Sequence, residues 1–213
     1  VEDTFVRLPA GGERRNGHSP PVSLPDGVVR IERRKGEMAR LLLALPAPSA
    51  SHPDHPPLRL VSTLLAGGRT SRLHEALVDG GQLCSWVSAD LSESLDASQL
   101  NITAEVVPGI EPERVEAEVM RLLAELADAP PSPEELERAR QISTADWVFG
   151  HERVHQQAIS LGLAATLFDL DYLDRHLRGL LAAGPERVLE VASRYLRPER
   201  GAVLGWSLPR TES

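Results

Sequence analysis

His151-Glu152-Arg153-Val154-His155 spells H-E-x-x-H. On one helix, histidines four residues apart stand a turn from each other and can clamp one metal ion, with the glutamate as general base. Three neighbours weigh against a metal site. Arg153 puts a charge at a middle position that is usually uncharged. Ala158 and Leu161 stand where a longer H-E-x-x-H-x-x-G-x-x-H pattern needs glycine and histidine. No third ligand follows, only the scattered Asp169, Asp171, Asp174 and His176. A solvated helix face carrying two histidines is the expectation, with no metal held by His151, Glu152 and His155.

Other reactive side chains are sparse. Cys84 is the only cysteine. No disulfide within the chain and no multi-cysteine metal site is possible, and a lone strand cysteine reads as a small buried hydrophobe. His52 and His55 flank prolines in a loop and read as solvated. Gly67-Gly68-Arg69-Thr70-Ser71 lacks the G-K-[ST] ending of a phosphate loop and follows a helix, not a strand. Glu111 and Glu134 read as solvated first-turn residues favoured by the helix dipole, not as paired catalytic carboxylates.

The elements that position these residues follow from periodicity. The strands are expected over 28–34, 38–45, 83–91, 100–107 and 202–208. Helices are expected over 58–66, over a short stretch carrying Leu73, Ala76 and Leu77, and over 111–127. A further helix is capped by Ser132 with Pro133 at its first position and Glu135 three residues after the cap, and others cover 152–167, 172–181 and 185–195. PAPSASHPDHPP, residues 46–57, reads as loop because its prolines remove ladder donors. Leu41 to Leu45 is apolar on both faces, so that strand should be covered on both sides: by its own helices, and by a partner domain or an inserted strand.

The chain has 213 residues, 41% of them apolar and 4% aromatic, with a formal net charge of −8. That length fits one α+β domain with extensions, whose core is Leu, Val and Ala. The acidic balance argues against nucleic-acid binding, and no apolar run is long enough for a membrane span. Residues 1–26 are rich in Pro, Gly and Arg and read as a linker, the tail of a preceding domain, leaving 27–213 as the folded domain. The start has no signal-peptide pattern, and Val1 instead of Met predicts an upstream segment; the cytoplasm is the expected compartment.

One stretch organises the rest: AGGRTSRLHEALVDGGQLCSWVSA, residues 66–89. It resembles the motif L-G-G-x-x-S-R-L-[FY]-x-x-L-R-x-x-x-x-L-[AG]-Y-x-V of the insulinase/pitrilysin-like (inverzincin) zinc peptidases, in their C-terminal non-catalytic domain. The matches are Gly67, Gly68, Ser71, Arg72, Leu73, Leu77, Leu83 and Val87. Pro133-Glu134-Glu135-Leu136 with Ala139-Arg140, then Ala158 to Gly162, then Gly184 to Val188 with Ala192, Tyr195-Leu196 and Pro198 extend the resemblance over residues 28–209. It implies an α+β fold, a mostly antiparallel sheet with helices packed on one face.

The family's catalytic motif is the inverted H-x-x-E-H of its N-terminal domain, which is missing here, so zinc is expected in a partner half and no cofactor in this chain. The family's C-terminal domain normally supplies an Arg and a Tyr that hold the substrate backbone. Val78 and Ser85 occupy those positions, leaving no catalytic or substrate-holding residue, and Arg72 reads as structural. The resemblance therefore implies a non-catalytic half, inactive alone, that encloses a peptide-processing chamber with an H-x-x-E-H-bearing half or subunit in a homo- or heterodimer. The alternatives are a degenerate scaffold or peptide-binding subunit, and a self-contained H-E-x-x-H peptidase.

Overall fold

A computed structural model describes residues 26–210; the linker expected over 1–26 lies outside them except for Asp26. Five strands form one sheet: β1 (Val28–Gly36), β2 (Arg40–Pro48), β3 (Cys84–Leu91), β4 (Ala97–Val106) and β5 (Ala202–Pro209). Their order is β1-β5-β2-β4-β3. Only β1 and β5 run parallel; β5–β2, β2–β4 and β4–β3 are antiparallel. The expected α+β class, with a mostly antiparallel sheet, is what the chain adopts.

Alternation builds the core. Leu41, Leu43 and Leu45 of β2, Leu100, Ile102 and Ala104 of β4, and Ala202 and Leu204 of β5 point to one face and are buried. Against it lie α1 (His55–Ala66), α2 (Arg72–His74, widening into a π-helical turn over Glu75–Gly80), α3 (Pro112–Asp128) and α7 (Pro185–Tyr195). In α3 the buried stripe is Val115, Val119, Leu122, Leu123, Leu126 and Ala127, the face its 3.6-residue period predicts. Three more helices, α4 (Pro133–Gly150), α5 (Val154–Leu167) and α6 (Tyr172–Ala182), extend this layer beyond α1. At the start of α4, Ser132 Oγ accepts from the Glu135 amide at 3.1 Å, and the Ser132 amide donates to Glu135 Oε2 at 2.8 Å. This is the reciprocal cap that the sequence promised.

One expectation needs correction. The proline-rich loop is shorter than 46–57: β2 continues to Pro48, and α1 already starts at His55. Beyond Ala44, β2 pairs with β4 alone, and a strand edge tolerates Pro46 and Pro48. Pro56 and Pro57 sit in the first turn of α1, where amides have no helical acceptor. On the other face of β2 no helix or strand packs among the described residues, and a partner domain, the other cover expected, is not part of the chain. Leu42 is 46% exposed there, between Gly205 of β5 and Thr103 of β4.

Candidate functional site

The H-E-x-x-H stretch does not lie on one helix. α4 ends at Gly150 and α5 begins at Val154, so His151 terminates one helix while His155 lies in the first turn of the next. The break has local causes. Gly150 weakens the helix, Gln157 Nε2 donates to the His151 carbonyl at 2.8 Å, and the Arg153 amide donates to Gln156 Oε1 at 3.4 Å. His151 Nδ1 lies 2.7 Å from the Trp147 carbonyl, with the two rings 4.4 Å apart, whereas His155 is exposed. The expectation that both histidines share one helical turn is therefore corrected. Among the described residues no group of three or more His, Cys, Asp or Glu side chains is placed to hold a metal ion.

Val78 sits half-buried in the π-helical turn, packed against the core. Ser85 lies at a bulge in β3, where the pairing with β4 shifts between Cys84 and Trp86. Its hydroxyl donates to Glu105 Oε1 at 3.0 Å, and Arg40 binds Glu105 Oε2 through Nε at 2.8 Å and Nη2 at 2.7 Å. These bonds hold the Glu105 carboxylate below its ordinary pKa, Arg40 first and Ser85 second. The Arg40–Glu105–Ser85 cluster lies on the open face of the sheet. Nothing in the sequence joins these three; strand register alone does.

The remaining candidates fall to structural roles. Arg72 ion-pairs with Glu135 and ties α2 to the start of α4. Cys84 is buried, and burial pushes its thiol up to about 11, which leaves it unreactive. Gly68 has φ +111°, and a side chain on Gly67 would lie 2.4 Å from Thr63 Cγ2; both glycines serve the turn. Glu111 and Glu134 are exposed, as their helix-start positions predict. Asp169 pairs with Arg175 at 2.9 Å, and Asp174 pairs with Arg178. His52 is exposed, but His55 is fully buried, which corrects its reading as solvated. As the first residue of α1 it turns inward, and its Nε2 lies 3.1 Å from the Ser92 carbonyl.

His55 belongs to a cluster that sequence reasoning missed. Its ring lies 5.8 Å from His176, which stacks on Trp147 at 5.1 Å and approaches Tyr172 at 5.8 Å; Phe168 stacks on Tyr172 at 4.4 Å. Burial, with His55 and Arg59 nearby, lowers His176 to about 3, and burial likewise lowers His55, so both imidazoles are neutral. The rings come from α1, α4, α6 and, for Phe168, the end of α5, and only the packing of these helices brings them together. They back a cavity of about 570 Å3 between α1, β3, α4, α5 and α6. At its floor Thr63 Oγ1 and Ser143 Oγ are 2.9 Å apart.

The family model of the peptidase M16 inactive domain matches residues 1–143. The chain belongs to that family. This M16 inactive domain is similar to the inactive peptidase domain solved from Bordetella parapertussis, at 26% identity and a TM-score of 0.76 over 85% of this chain and 96% of that one. It shares its fold with a protease from Helicobacter pylori, at 22% identity and a TM-score of 0.83 over 98% of this chain and 51% of that one. An M16 inactive domain from Pseudomonas fluorescens gives 20% identity and a TM-score of 0.73, over 90% and 46% of the two chains. The chain thus spans about half the length of the Helicobacter protein. None of the curated proteins compared with it matches.

Proposed function

We propose that this M16 inactive domain is the non-catalytic C-terminal half of an insulinase/pitrilysin-like zinc metallopeptidase, which closes a peptide-processing chamber together with a zinc-bearing half. The observation that carries the reading is the open face of the sheet. Val29 and Ile31 of β1, Leu42 of β2 and Trp86 of β3 are exposed there, next to the polar Arg40–Glu105–Ser85 cluster. An uncovered sheet face with apolar residues on several strands suits a second body of similar size. The chain's match to about half of the Helicobacter pylori protease supports the same division. With Val78 and Ser85 at the substrate-holding positions, the partner supplies both the zinc and the arginine–tyrosine pair.

The test is co-expression with the H-x-x-E-H-bearing chain or upstream segment encoded beside it. A stable 1:1 assembly that cleaves a quenched fluorogenic peptide, and loses cleavage with a zinc chelator, supports the proposal. A stable assembly that cleaves nothing supports the second reading, a scaffold or peptide-binding subunit, which the replacements at Val78 and Ser85 favour. Cleavage by this chain alone overturns both.

A further inference from the structure

The 570 Å3 cavity has an interior and a mouth of different chemistry. Trp147, Phe168, Tyr172 and Leu167 line the inside. Glu93 and Asp146 are exposed around the opening. Arg59 is the only arginine or lysine in the lining, and it is engaged by Glu93 at 3.3 Å and the Leu91 carbonyl at 3.1 Å. Asp146 has neither a hydrogen bond nor an ion pair among the described residues.

Two buried side chains of the wall are also unsatisfied. The Tyr172 hydroxyl and His176 Nδ1 have no hydrogen-bond partner, although the residues are only 5% and 3% exposed. Buried polar groups are normally paired, and interiors are normally filled, so a void beside orphaned polar atoms marks a place where something else binds.

We propose that this cavity binds a short peptide segment bearing a basic side chain next to a large apolar one. The apolar group fills the aromatic interior, and the ammonium or guanidinium meets the carboxylates at the mouth. Two carboxylates facing one already paired arginine disfavour an acidic ligand, and a purely apolar ligand leaves Asp146 unpaired. Peptide amides offer both donors and acceptors for the inner polar groups, which an alkylamine cannot. The choice of a peptide over a small amine rests on the peptidase reading above.

The probe is a fluorescein-labelled Gly-Phe-Arg-Gly-Ser peptide titrated with the whole chain and followed by anisotropy. Saturable binding is expected, at least tenfold weaker when glutamate replaces the arginine, and at least tenfold weaker for Asp146→Asn at an unchanged melting temperature. Glu93→Gln, also at the surface, serves if the first variant loses stability. No saturable binding, equal binding of the glutamate peptide, or undiminished binding by both variants overturns the inference. So does argininamide competing as well as the peptide. None of these measurements needs the zinc-bearing half. A domain that assembles but binds no basic peptide refutes this inference alone; one that binds the peptide but never assembles refutes the pairing alone.

Discussion

Arg72 grips Glu135 at two points, Nε donating to Oε1 at 2.9 Å and Nη2 to Oε2 at 3.1 Å. The same carboxylate caps α4 through the Ser132 amide, so one side chain fixes both the start of a helix and its angle to α2. Arg72 comes first among the causes holding Glu135 below its ordinary pKa. The pair is about four-fifths buried on the arginine side, which places it above an exposed ion pair. Arg72→Ala is expected to lower unfolding free energy by roughly 1–2 kcal/mol, and Arg72→Lys to recover less than half, since an ammonium cannot match the fork. A double-mutant cycle with Glu135→Ala in urea checks this, because the coupling vanishes if the two residues act independently.

Asp54 is the one fully enclosed carboxylate of the loop before α1. Arg187 and Arg194 bind it from α7, the latter at 2.6 Å, and the Tyr195 hydroxyl donates at 2.9 Å. Burial opposes its charge, but the Tyr195 and Arg187 hydrogen bonds prevail and hold its carboxyl below the usual range. Asp54→Asn should cost about 2–3 kcal/mol, since two partly exposed arginines can turn to water. A carboxyl with a depressed folded pKa contributes stability above its unfolded value near 4, and that contribution fades as the pH falls through the folded value. Urea midpoints of wild type and variant should therefore converge between pH 5 and pH 2; a gap constant with pH refutes the account.

His176 predicts the opposite end of the acid range. It is neutral in the fold down to about 3, while in the unfolded chain it protonates near 6.5. Below pH 6.5 the unfolded state binds the extra proton, so stability drops with falling pH by at most about 1.4 kcal/mol per unit from this residue. His55 adds to the slope in the same direction. His176→Phe should flatten the stability profile between pH 6.5 and 4, whatever it does to stability at pH 8. A profile that keeps its slope in the variant counts against a neutral buried imidazole.

Gly67 approaches Thr63 so closely that an added Cβ would lie 2.6 Å from the Thr63 carbonyl oxygen. Gly67→Ala should destabilise by about 1–3 kcal/mol through a shift of the α1 end. Gly162, with open space around the same position, is the control: Gly162→Ala in mid-helix should stabilise by about 0.5–1 kcal/mol. Thermal melts rank the two, and equal effects discard the steric explanation.

Elemental analysis of the purified chain should find less than a tenth of an equivalent of zinc, unaltered by His155→Ala. The two histidines lie on either side of a helix break and cannot close on one ion without refolding it. One equivalent of zinc lost in the variant would reverse this.

Much of this was legible from the residues. The buried stripe of α3, the Ser132 cap and the strands over β3 and β4 follow from local period and capping chemistry, which depend on near neighbours. The stop of α1 at Gly67 was legible for the same reason. What escaped was set by distant contacts. His55 looks solvated between prolines because its burial depends on α6, more than a hundred residues later. The helix break inside H-E-x-x-H was missed because Gly150 alone does not end a helix; the hydrogen bonds of Gln156 and Gln157 complete the stop. The β3 bulge that exposes both Ser85 and Trp86 interrupts an alternation that the sequence presents as regular.

β5 lies between β1 and β2, hydrogen-bonded to each. A ribosome releases the strands in sequence order, so β1 and β2 emerge together yet cannot become neighbours in the final sheet. Among the described residues β1 has no strand partner until Ala202 and the residues after it arrive to pair with Val28 onward. During synthesis β2, β3 and β4 can form a three-stranded core, while β1 and the free side of β2 offer unpaired backbone. Closure of the sheet thus waits for β5, and this long-range pairing costs more loop-closure entropy than the β3–β4 pair.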